Sequence, residues 1–142
     1  MTRVRRAEVT LATLGIVVGI VGLVGARKLG FTQADGAVLF ERTDDMIWGK
    51  LVQFSPLGAI VTMALASAAL VGARIGRRAI VFVASAGFAV SSLQVIVQFG
   101  RDDNAFGARG GNLALALAMS VGLAALALAD RYETEHLAGP AA

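Results

Sequence analysis

Amides and hydroxyls are the strongly polar groups that this chain carries deep inside its apolar stretches. Ser91, Gln94 and Gln98 recur at helical spacing and fall on one face, with Ala84 and Gly87 above them. An amide in lipid is costly without a partner, so this face is expected to point into a helix bundle or into another protein. Its plainest chemistry is interhelical hydrogen bonding, to Thr62 or Gln53. A sharper use is a polar vestibule or a contact for a quinone headgroup near the outer leaflet.

Charged chemistry is sparse. An intramembrane carboxylate can bind a proton or a cation. Glu8, however, lies beside Arg5 and Arg6 at the start of an apolar run. It is read as an edge charge favoured by a helix N-terminus. Asp44-Asp45 and Asp102-Asp103-Asn104 lie between apolar stretches, and calcium would need more oxygen ligands around a turn. Cysteine is absent and the single histidine, His136, sits in a polar tail, so thiolate and intramembrane imidazole sites are excluded. No phosphate loop, HExxH motif or nucleophile–base set is present. The sequence therefore predicts no enzyme, no cofactor and no metal.

The elements that must position these groups are four apolar stretches, at about residues 9–26, 51–73, 79–100 and 110–129. Each approaches the roughly 20 residues that a membrane span needs. Charged residues make up 16% of the chain, below the roughly 25% of ordinary globular domains, and mean hydropathy is +0.71. Both point to a single all-α integral membrane domain over residues 1–142, a four-transmembrane-helix bundle. Arg3, Arg5 and Arg6 before an apolar run ending Val24-Gly25-Ala26 also resemble a signal peptide. The segment is read here as a retained first span.

An even number of spans puts both ends on one side. The dense clusters Arg3-Arg5-Arg6 and Arg74-Arg77-Arg78 then share a face, and the excess of basic residues predicts a cytoplasmic membrane location with N-in, C-in topology. The net charge of +3 is assigned to topology and not to nucleic acid. Phe40, Trp48, Phe54 and Phe99 fall near the opposite face and are expected to form an outer interfacial belt. Ser55-Pro56 fits a helix N-cap followed by proline at the first helical position. Residues 38–54 then read as a short interfacial helix or re-entrant segment, the alternative being one long helix kinked at Pro56.

Small residues form stripes at helical spacing. Gly15, Gly19 and Gly22 line the first span, and Ala64, Ala68 and Gly72 the second. Such stripes let backbones approach closely, within the chain or against another subunit. Arginine far outnumbers lysine and Ala, Gly and Val dominate, a bias expected of high-GC, actinobacterial coding. With its glycine-rich spans and the Phe54-Ser55-Pro56-Leu57 stretch, the layout resembles small four-span actinobacterial membrane proteins of uncharacterised function. That resemblance implies a multi-pass fold and carries over no functional residue.

Packing surface without chemistry predicts an accessory or structural subunit of a larger membrane complex, respiratory or transport, holding partner spans through the small-residue faces. Its partners would be membrane lipids and larger subunits, or further copies of itself. The alternative is a small homo-oligomeric transporter or channel for a neutral solute, with Gln94 and Gln98 along its path.

Overall fold

The computed structural model describes residues 2–26, 30, 54–98 and 110–137. They form four helices: α1 (Arg3–Ala26), α2 (Pro56–Ile75), α3 (Arg78–Gln98) and α4 (Gly110–Leu137). All four are long and apolar enough to cross a membrane. The multi-pass, all-α bundle expected from the apolar stretches is therefore the fold. Residues 38–53, where an interfacial segment was expected, lie outside the described residues.

Neighbouring helices pack as a ring, α1 on α2, α2 on α3, α3 on α4 and α4 on α1. Every neighbouring pair is antiparallel. The start of α1 meets the end of α2, because the Arg5 guanidinium lies against Gly76. The start of α3 meets the end of α4 through Arg78 and Asp130. One end of the bundle is thus rich in arginine, and the connections on either side of the α2–α3 pair leave from the other.

Local sequence sets the helix limits. Ser55 has extended backbone (φ −82°, ψ 157°), and its hydroxyl accepts from the Gly58 N–H at 3.0 Å. Pro56 follows at the first turn, where its missing N–H leaves nothing unpaired. The helix therefore begins at Pro56, five residues later than the apolar run. At the other end Gly76 adopts a left-handed φ of 74°, and its N–H returns to the Gly72 carbonyl. That cap costs a glycine little, and it lets α3 start two residues later.

The core is built from small side chains. Ala12, Ala66, Ala69, Ala73, Ala84 and Ala127 are buried, with Val81, Phe88, Met119 and Leu123 filling the space between. Large aliphatic side chains instead point outward: Val83 is 70% exposed, Val97 66% and Val121 64%. Lipid tails solvate such residues as well as a protein core does, so burial is reserved for groups that allow close packing. Several hydroxyls on the spans bond within their own helices. Thr10 donates to the Arg6 carbonyl, Thr13 to Val9 and Thr62 to Gly58, at 2.7–2.9 Å.

Candidate functional site

Two polar arrangements stand out against this apolar frame. The first closes the arginine-rich end. Asp130 sits in the last two turns of α4 and is 1% exposed. Its carboxylate accepts from the Thr2 hydroxyl at 3.0 Å and from Arg78 Nε at 3.1 Å, with Arg5 Nε at 3.7 Å. Arg78 Nη2 also donates to the Asp130 carbonyl at 3.2 Å and to the Thr134 hydroxyl at 2.6 Å. Thr2 does double work, because its hydroxyl accepts from the Arg5 N–H at 3.2 Å and so caps α1. One carboxylate thereby ties the starts of α1 and α3 to the end of α4.

Glu8 lies close enough to Asp130, Arg5 and Arg78 to feel all three charges. It is 2% exposed, and its Oε1 has no hydrogen-bond partner. The expectation of an edge charge at a helix N-terminus needs correction here. Helix α1 begins at Arg3, so Glu8 falls in its second turn and faces inward. Arg5 and Arg78 face both buried carboxylates, Asp130 directly and Glu8 at longer range. Among the described residues no group of three or more His, Cys, Asp or Glu side chains could hold a metal ion.

The second arrangement is the polar face of α3. The expected bonds from this face to Thr62 are not made. Ser91 donates instead to the Gly87 carbonyl of its own helix at 2.9 Å, and Thr62 bonds within α2. Gln53 lies outside the described residues. Gln94 is exposed, and Gln98 is half-buried with an Oε1 that no donor reaches. Hydroxyls that satisfy themselves on the preceding turn leave the amides to look elsewhere. Gln94 lines an open groove of about 360 Å³ between α2 and α3, with Val61, Leu65, Gly87, Val90 and Ser91. Behind it, sharing Val61 and Ser91, lies an inner cavity of about 40 Å³ reached by Thr62 and Asn112. That space is on the order of one to a few water molecules in size.

The small-residue stripes divide. Gly15, Gly19 and Gly22 are all buried within the chain. A Cβ at Gly15 would fall 2.7 Å from Met119 Cε, and one at Gly22 2.7 Å from Phe54 Cγ. Gly19 faces Met63 and the Ala59 carbonyl, and Gly72 packs on Ile80 and Val81 of α3. Ala68 packs against the core, whereas Ala64 is exposed. As a surface for another protein, the glycine stripe is already occupied.

Phe54 likewise leaves the expected outer belt. It is 2% exposed, because Gly22 opens a place for its ring beside α1. Phe40, Trp48 and Phe99 lie outside the described residues. Two contributors were not anticipated: Asp130, and Ser85, whose hydroxyl crosses to the Ser120 carbonyl of α4 at 2.8 Å. Both lie on buried stripes of their helices, a periodicity that the sequence carries.

No family model, curated protein or solved structure matches this chain.

Proposed function

We propose that this protein is a non-enzymatic accessory subunit of a larger membrane assembly, seated in a cytoplasmic membrane with its arginine-rich end inside. The observation that carries this reading is the position of Gln94. Its amide opens onto an apolar, lipid-facing groove, while a smaller space of about 40 Å³ lies behind it. An amide on such a wall gains most from a partner span that brings a donor or acceptor of its own. A groove of about 360 Å³ flanked by Gly87 admits side chains of a neighbouring helix.

The test is co-purification from the native membrane. Gln94→Leu is expected to lower recovery of the partner while leaving the chain folded, because Gln94 makes no hydrogen bond within the described residues. Full partner recovery with Gln94→Leu removes the groove from the account.

A further inference from the structure

The arginines near the closed end do not act alike. Arg5 and Arg78 turn inward onto Asp130. Arg3 and Arg6 on α1, Arg74 in the last turn of α2 and Arg77 in the following turn are exposed. Among the described residues no carboxylate pairs with the guanidinium groups of these four. The contact of Arg5 with Gly76 brings the start of α1 to the α2–α3 turn, so all four lie at one end of the bundle, Arg6 one helical step from Arg5 and Arg74 and Arg77 on either side of Gly76.

The rest of this end is different. On α4, Arg131 is neutralised by Glu135 at 2.8 Å, and Glu133 lies between them in sequence. Helix dipoles alternate in an antiparallel ring and largely cancel there. The excess positive charge therefore belongs to the α1–α2 corner. On α2, within one turn of Arg74, the wall is apolar and open: Val71 is 53% exposed and Ile75 58%. A guanidinium rim above exposed aliphatic side chains complements a molecule with an anionic head and hydrocarbon tails.

We propose that the α1–α2 corner of the arginine-rich end binds an anionic phospholipid, its phosphate held by Arg74 and Arg77 with Arg3 and Arg6 beside them. Guanidinium groups suit this role because their planar fork meets phosphate oxygens in pairs. Charge complementarity selects the headgroup, and Val71 and Ile75 receive the acyl chain. The proposal is independent of any protein partner in the groove.

The full-length chain in mild detergent, given phosphatidylglycerol and phosphatidylcholine with matched acyl chains, tests it by native mass spectrometry. Phosphatidylglycerol should remain bound while phosphatidylcholine is stripped. R74Q combined with R77Q should lower phosphatidylglycerol retention about tenfold or more, from the attraction of each basic group near a membrane surface. R131Q should leave it unchanged. If the pair folds poorly by circular dichroism, R3Q combined with R6Q is read by the same standard. Equal retention of the two lipids, or undiminished retention in the variants, would mean that these arginines set topology alone, and would overturn the proposal.

Discussion

Asp130 joins the ends of three helices through one carboxylate. It is 1% exposed, yet it receives a hydroxyl from α1 and a guanidinium from α3. Replacing it with asparagine leaves Arg78 and Arg5 facing a neutral amide that cannot balance their charge. Breaking a buried pair from one side costs several kcal/mol. Both arginine side chains are about 30% exposed, which softens the loss. Asp130→Asn should therefore destabilise the bundle by about 2–3 kcal/mol, allowing for that exposure. A thermal or denaturant titration in detergent checks it, and Arg78→Lys should fall between the two. Thr2→Val should lose a helix cap and a hydrogen bond together, about 1 kcal/mol or slightly more.

Helix–helix contact is where glycine matters at the scale of the element. On α1 the buried positions are Glu8, Ala12, Gly15, Gly19, Gly22 and Ala26, a repeat of alternating fours and threes. Leucine at Gly19 would have to displace Met63 and the α2 backbone at Ala59, so Gly19→Leu should separate α1 from α2. Overpacking of this kind costs typically about 1–3 kcal/mol, and more when backbone must move. Ala64→Leu, on the exposed side of α2, should leave the melting temperature unchanged. Melting the two variants side by side separates an internal stripe from an external one.

The element scale also shows what could be read in advance. The number of helices, the break at Ser55-Pro56 and the glycine face of α1 were all legible, since each rests on local periodicity or capping. Glu8 and Asp130 were not assigned to the interior, because charge at the end of an apolar run reads as the start of water. Yet Glu8 continues the spacing of Gly15, Gly19 and Gly22, and Asp130 that of Met119, Leu123 and Ala127. Periodicity was the better guide than polarity. Whether Ser91 would bond to α2 or to its own preceding turn was not legible, because both choices use the same residue types. Which side of the small-residue stripes faced outward needed the packing of all four helices.

For the whole molecule the arrangement is a four-helix bundle with two external features, a lateral groove bearing Gln94 and a basic corner. The interior stripe is consumed by folding, so recognition is left to the outside. The proposed orientation puts the arginine-rich end in the cytoplasm. The chain has no cysteine, so a single Glu135→Cys near the end of α4 gives a clean probe. An impermeant maleimide should fail to label it in intact cells and succeed after permeabilisation. Labelling in intact cells would reverse the topology.

The central claim, that the molecule is a subunit and not a machine by itself, is tested most directly by native mass spectrometry. The chain would be tagged at its C-terminus and extracted from its own membrane in mild detergent. The account predicts a stoichiometric complex with larger membrane subunits, and their identities would name the process. A bare homo-oligomer, with no other chain at stoichiometric level, would contradict it.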